Sequence, residues 1–243
     1  MRLHNNKILI TGATEGIGHA LTLKMLSLNN TIIAVGRNEE RLRLLGLSST
    51  RIIPFRCDLA RLADLEQLTH FIEQQHPDLN ILINNAGVQY NYGFDTEPHL
   101  LARIDHEVQV NLLAPLRLTA LLLPVLKAND NAAIVHVSSG LALAPKRQAP
   151  VYCATKAALH SFSQALRYQL QQVRVFEILP PLVDTAMTEG RGKGKIAPEK
   201  VAEAFVKGFA RNRYEIAVGK VRLLQLLLRV APRLARRIMQ NGR

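Results

Sequence analysis

Apolar residues gather along the chain in seven short, β-branched runs, at residues 7–11, 31–36, 51–56, 79–84, 133–138, 174–179 and 215–218. Most of these runs are continuously apolar rather than alternating, which is the pattern of parallel strands covered by helices on both faces. Helical stretches separate them, at 19–27, 39–45, 63–75, 100–127 with Pro115 inside, 152–171 and 198–211. This alternation predicts an α/β fold: a doubly wound, mainly parallel seven-stranded sheet with helices on both faces. The sequence contains no repeat, low-complexity tract or linker, so residues 1–243 read as a single domain.

Composition fits that reading. The 243 residues are 48% apolar and 5% aromatic with no Trp, as in an aliphatic α/β core, and neither a disordered nor a fibrous chain has this make-up. The two cysteines, Cys57 and Cys153, fit no metal spacing and no disulfide framework. Two small buried thiols in a reducing compartment are therefore expected, and no metal site. Only a few polar residues precede the first apolar run, which leaves no room for a signal peptide and predicts a cytoplasmic protein. The apolar-rich stretch 221–230 is broken by Arg222, Gln225 and Arg229 and is too short to span a membrane.

The net charge of +12 raises the question of an anionic partner. From Glu215 onward seven cations (Lys220, Arg222, Arg229, Arg233, Arg236, Arg237 and Arg243) face one acid, so half of the surplus sits in a basic, helical C-terminal segment at about 220–243. No recognition motif accompanies the charge, and nucleic acid is not an expected partner.

Chemistry enters with the segment Thr11–Gly18, TGATEGIG. Gly12 permits a tight turn after the first strand, Gly16 lets the backbone approach a pyrophosphate, and Gly18 allows close helix contact, with Thr14 and Ile17 in the same loop. At the end of the second strand stand Gly36 and Arg37, where an acid would hold a free adenosine ribose. Gly36 leaves space and Arg37 offers a bidentate guanidinium to a 2′-phosphate, which favours NADP(H) over NAD(H).

Far downstream, Tyr152-Cys-Ala-Thr-Lys156 places a phenol and an ammonium four residues apart on one helix face. Carbonyl reduction needs a hydride donor, a proton donor at the oxygen and a polar clamp on it. Tyr152 can give the proton. A free phenol, with a pKa of about 10, is too weak an acid to cycle near neutrality. Lys156 supplies the charge that stabilises its phenolate and can also reach a nicotinamide ribose.

Further motifs fall in order: Asp58-Leu59 after the third strand, Asn84-Asn85-Ala86-Gly87 after the fourth, Asn111 in a helix, Ser138-Ser139 after the fifth, and Pro180 to Thr185 after the sixth. Together with the glycine turn and YCATK they resemble the short-chain dehydrogenase/reductase family over about four-fifths of the chain. That resemblance implies a Rossmann-like fold and an NAD(P)-dependent dehydrogenase or reductase acting between CH–OH and C=O groups. It implies an adenine pocket at Asp58 and Leu59 and a cofactor-lining stretch at Asn85, Ala86 and Gly87, with Asn84 serving the sheet. Ser139, thirteen residues before Tyr152, is implied as the substrate-oxygen clamp, with Ser138 turned into the strand. Asn111 is implied to hold a water linking Lys156 to solvent. Pro180, Val183 and Thr185 resemble the nicotinamide and phosphate contacts, although the family's usual Pro-Gly is Pro180-Pro181 here.

The substrate is less legible. The segment at about 186–197 carries Gly190, Gly192 and Gly194 interleaved with Arg191, Lys193 and Lys195 and reads as a mobile lid, its cations either gripping an anionic substrate or simply solvated. Tyr90, Tyr92 and Phe94 either wall the pocket or pack their own loop. In the tail, Arg222, Arg229, Arg233 and Arg236 fall at helical spacing, and Pro232 breaks the segment into two helices. Its apolar face, with Val221, Leu224 and Leu228, rests on the body or a partner subunit, or the basic face makes peripheral contact with an anionic membrane. The stretches 100–127 and 152–171 resemble the pair that forms family dimers, so a homodimer or homotetramer is expected. Three function classes remain: an NADP(H)-dependent oxidoreductase working on a small carbonyl or alcohol, a silent NADP(H)-binding regulator, and a membrane-peripheral protein on the same fold.

Overall fold

The computed structural model of the chain describes residues 1–240; the end of the predicted tail, Arg243 included, lies outside them. Seven strands, β1 (Lys7–Thr11), β2 (Thr31–Gly36), β3 (Ile52–Arg56), β4 (Ile81–Asn84), β5 (Ala133–Val137), β6 (Arg174–Leu179) and β7 (Glu215–Ala217), form one sheet in the order β3-β2-β1-β4-β5-β6-β7. Every pairing is parallel. Helices α1 (Gly16–Ser27), α2 (Glu39–Leu47), α3 (Leu62–Gln75), α4 (Leu100–Val108), α5 (Ala114–Lys127), α6 (Pro150–Gln169), α7 (Pro198–Ala210), α8 (Val221–Val230) and α9 (Pro232–Gln240) complete the fold.

The continuously apolar strands are explained by where their alternate side chains go. Ile8, Ile10, Ile32, Ala34, Ile81 and Ile83 enter the layer shared with Leu21, Met25, Phe205 and Phe209. The intervening Leu9, Ile33, Val35 and Leu82 enter the opposite layer with Leu65, Ile72, Leu118 and Leu166. Successive strand residues face opposite sides, so both sets must be apolar when both sides are covered. Pro54 lies in the edge strand β3, where a missing N–H breaks no inner ladder.

The stretch expected as one helix over 100–127 is interrupted. Residues Gln109–Leu113 form a π-helical turn between α4 and α5. Pro115, which has no N–H to give, follows directly, and the wide turn absorbs it without ending the helix. Among the described residues Leu100–Lys127 is a 28-residue helical stretch, with a mean hydropathy of 1.5 over its most apolar 18-residue window, long and apolar enough by length and composition to cross a membrane. Ala114, Leu118, Leu122 and Leu126 are instead buried in the second core layer.

The tail is two helices broken at Pro232, as predicted. Arg222 and Arg229 lie on α8 and Arg233 and Arg236 on α9, so the helical spacing of the four runs across the break. Val221 and Ala235 are buried against the body, and Arg147 donates from its backbone to the Gln240 carbonyl at 3.1 Å. Leu223, Leu226, Val230, Leu234 and Ile238 remain exposed.

Candidate active site

In a sheet of this order the chain reverses direction between β1 and β4, and the crevice opens at the carboxyl ends of the strands. A cavity of about 830 Å³ occupies that place. The glycine turn, Gly36-Arg37, Asp58-Leu59, the 85–87 stretch, Ser139, Tyr152, Lys156 and the segment after Pro180 all line it. Residues from six different strand ends are thus brought together, as their positions after successive strands implied.

The glycine turn is shaped by contact. Gly12 and Gly16 have φ of +65° and +54°, the left-handed region that favours glycine. A Cβ on Gly18 would stand 2.0 Å from the Gly12 carbonyl oxygen, so α1 can approach the turn only with glycine there. A Cβ on Gly16 would stand 2.9 Å from Thr185 Cγ2. No side chain caps α1, and its first-turn N–H groups lie at the cavity wall beside Thr14, Gly16 and Ile17. A bare helix N-terminus behind a glycine cradle suits a dinucleotide's pyrophosphate.

Asn85 holds this cradle in place. Its Nδ2 donates to the carbonyls of Thr11 at 2.8 Å and Gly12 at 3.3 Å, while the backbone N–H groups of Asn85 and Ala86 donate to Thr11 Oγ1. Asn84 is buried and donates to Thr119 Oγ1 at 3.4 Å, within the layer behind the sheet. Asp58 accepts from the Ala60 N–H and receives an ordering contact through its own N–H to Asp64.

At the adenosine end Arg37 is exposed beside Asn38, which caps α2 by accepting from the Arg41 N–H at 2.9 Å. Arg41 also lines the cavity and pairs with Glu15 at 2.5 Å. Sequence reading missed this second guanidinium, although its place four residues after Arg37, at the start of a helix, was a usable signal.

At the other end Tyr152 and Lys156 project from the first turns of α6, both buried. Lys156 Nζ donates to the Val137 carbonyl at 2.9 Å and lies 5.8 Å from the centre of the Tyr152 ring. Burial pushes the Tyr152 phenol up to about 12, an effect that the Ser139 side chain partly opposes. Burial pulls the Lys156 ammonium down to about 8, against the nearby charge of Glu177. Ser139 Oγ accepts from the Leu141 N–H at 3.1 Å and carries a proton of its own to donate. Ser138 turns inward, as expected, and donates to Glu177 and to the Ile178 carbonyl.

Asn111 sits in the π-helical turn with its side chain on Val88: Oδ1 accepts from the Val88 N–H and Nδ2 donates to the Val88 carbonyl, both at 2.8 Å. It reaches Lys156 only around Gly87, whose imagined Cβ would stand 3.2 Å from Asn111 Oδ1 and 3.5 Å from Lys156 Nζ. Its visible work is to fix the 87–88 backbone against the lysine.

The 180–197 segment is held to the body and to itself at several points. The Gly140 N–H donates to the Pro180 carbonyl at 3.0 Å. Val183 and Ile196 form a β-bridge, Thr185 and Thr188 cap each other across a short turn, and Lys195 pairs with Asp184 at 3.1 Å. The aromatics after Gly87 pack their own loop. Tyr90 meets His106 and Arg103, Tyr92 donates to the buried Glu107, Phe94 is exposed, and none of the three lines the cavity. Val221, Leu224 and Met239 do line it, so the tail helices wall the substrate end.

This fold and cavity define a dinucleotide-binding oxidoreductase. A family model described as short chain dehydrogenase matches residues 6–195, and the chain belongs to that family of NAD(P)-dependent dehydrogenases and reductases. It is 39% identical over 229 residues to the uncharacterized oxidoreductase DltE of Bacillus subtilis (strain 168), covering 91% of each chain. Among solved structures it superposes on a short chain dehydrogenase from Burkholderia cenocepacia J2315 in complex with NADP, with TM-score 0.88 and 25% identity, covering 99% of this chain and 100% of that one. The fold is also that of a short chain dehydrogenase/reductase from Burkholderia phymatum in complex with NAD, with TM-score 0.84, 20% identity and coverage of 100% and 98%.

Proposed function

We propose that this chain is an NADP(H)-dependent oxidoreductase interconverting a carbonyl and an alcohol, with Tyr152 as the general acid and base. Bound along the cavity, the nicotinamide dinucleotide supplies or takes up the hydride. In reduction Tyr152 gives its phenolic proton to the carbonyl oxygen, and in oxidation it takes that proton back. Lys156 holds positive charge beside the phenol and lowers the cost of the phenolate. Ser139 donates its proton to the substrate oxygen and aims it at Tyr152. Asn111 acts through the backbone it holds, keeping Gly87 and Val88 against the Lys156 ammonium.

The observation that carries this reading is the buried Tyr152–Lys156 pair opening on the same cavity as the glycine cradle. Arg37, with Arg41 beside it, supports the 2′-phosphorylated cofactor, since two guanidinium groups follow β2 where an acid would hold a free ribose. Tyr152→Phe tests the mechanism: turnover is lost while NADPH binding persists. Retained carbonyl reduction in this variant overturns it. The same reading includes a homo-oligomer formed through α4, α5 and α6, supported by Leu101 and Tyr168, which are 76% and 78% exposed on those helices. Light scattering that finds only monomer rejects that part.

A further inference from the structure

Two of the cations lining the cavity, Lys146 and Arg191, have no ion-pair partner among the described residues. Lys146, in the loop before α6, is half-buried and donates to Asn91 Oδ1 at 3.1 Å. Arg191 comes from a different segment, at the tip of the loop closed by the Val183–Ile196 bridge. That tip is shaped to present it: Gly190 and Gly192 flank it with φ of +68° and +59°, and a Cβ on Gly192 would stand 2.5 Å from Leu182 Cδ2. Arg191 Nη2 donates to the Gln89 carbonyl at 3.3 Å, whereas Nη1 is buried without a hydrogen-bond partner. A buried donor left unsatisfied costs about 1–3 kcal/mol, so this nitrogen is poised for an acceptor that the chain does not provide.

The two charges also feel each other. Burial first, and then the Arg191 charge, hold the Lys146 ammonium below the ordinary lysine value. Like charges gathered in a half-dry wall are relieved by an incoming anion. Among the described residues lining the cavity the acids are Glu15 and Asp58, both at the adenosine end. Lys195, a third basic residue of the loop, already pairs with Asp184. Lys193 and Lys220 also line the cavity, and Val221, Leu224 and Met239 add an apolar stretch beyond Tyr152.

We infer that Lys146 and Arg191 form a carboxylate subsite, so that the substrate is a carbonyl compound carrying a carboxylate, its apolar body lying along Val221, Leu224 and Met239. This rests on the oxidoreductase reading of the same cavity. A cofactor phosphate is the other anion within the chemistry of Arg191, and the test separates the two.

Straight-chain oxoacids of increasing length are compared with their methyl esters, by NADPH oxidation and by calorimetric binding to the NADPH-loaded protein. For at least one length kcat/KM for the acid exceeds that for its ester by about tenfold to a hundredfold, the worth of a charge-assisted contact. In Lys146→Met and Arg191→Met this ratio falls toward one, and in Lys146→Glu it inverts. NADPH affinity that drops in the variants while the acid-to-ester ratio holds assigns Arg191 to the cofactor and overturns the proposal. If neither series is turned over, binding still decides. Acid binding that the two methionine variants abolish supports the subsite and counts against the oxidoreductase reading; acid bound no better than ester overturns the subsite.

Discussion

Lys156 Nζ stands 5.8 Å from the centre of the Tyr152 ring, and burial moves the two groups in opposite directions, the phenol up to about 12 and the ammonium down to about 8. In the cofactor-free protein the phenol is therefore held protonated and is a weaker acid than a free phenol, and it cycles near neutrality only when added positive charge lowers its pKa. Alcohol oxidation needs the deprotonated form, so its rate rises with pH from neutrality into the alkaline range. Carbonyl reduction needs the protonated form and falls only at alkaline pH. Pairs of pH–rate profiles check this, and an oxidation rate independent of pH contradicts it.

The same lysine sets a pH-dependent cost on folding. Its folded pKa lies below the ordinary 10.5, so the penalty of burying the ammonium is full below about pH 8 and fades as pH rises from there toward 10.5. A gap of that size corresponds to about 3 kcal/mol. Lys156→Met, measured without cofactor, gains most relative to the parent protein at pH 7, and the gain shrinks by pH 10. A difference in Tm that stays constant over this window rejects the assignment.

Two glycines of the nucleotide cradle part company on substitution. A methyl on Gly18 meets the Gly12 carbonyl at 2.0 Å, whereas one on Gly36 meets only Thr14 and Leu42 side chains at 3.5 Å or more. Gly18→Ala loses nucleotide binding and about 1–3 kcal/mol of stability or more, and Gly36→Ala is tolerated. Thermal melts with and without NADPH decide, and equal behaviour of the two variants contradicts the geometry.

Cofactor choice rests on the guanidinium groups after β2. Arg37→Ala weakens NADPH binding by about tenfold or more, in line with a charge-assisted hydrogen bond, and leaves NADH nearly unmoved. Arg41→Ala does less, because Arg41 is already engaged by Glu15. Fluorescence titrations measure both, and parallel losses for the two nucleotides reject the 2′-phosphate role.

Much of this was legible beforehand, for identifiable reasons. The sheet is covered on both faces, so its strands print as unbroken apolar runs such as Ile8-Leu9-Ile10. The cavity forms at strand ends, so Gly12, Arg37, Asp58, Asn85, Ser139 and Pro180 each follow a strand that the pattern marks. The π-helical turn at Gln109–Leu113 was not read from the sequence, where the stretch 100–127 stands as one helix. Nor could spacing foresee that Lys146 and Arg191, forty-five positions apart, share a wall, or that Met239 reaches it from the last helix. Those contacts depend on how loops fold over the sheet, where period carries no information. In the loop at 186–197 the glycines take positive φ values, at Gly190, Gly192 and Gly194, and Val183 and Ile196 pair across its base.

The most direct test of the central claim is deuteride transfer from 4-deuterated NADPH to a panel of ketones, aldehydes and oxoacids, followed by mass spectrometry of the alcohols. The account predicts one deuterium at the former carbonyl carbon with the parent protein and none with Tyr152→Phe, although that variant still binds NADPH. A protein that binds NADPH yet labels no member of the panel, or a Tyr152→Phe variant that labels as well as the parent, contradicts it.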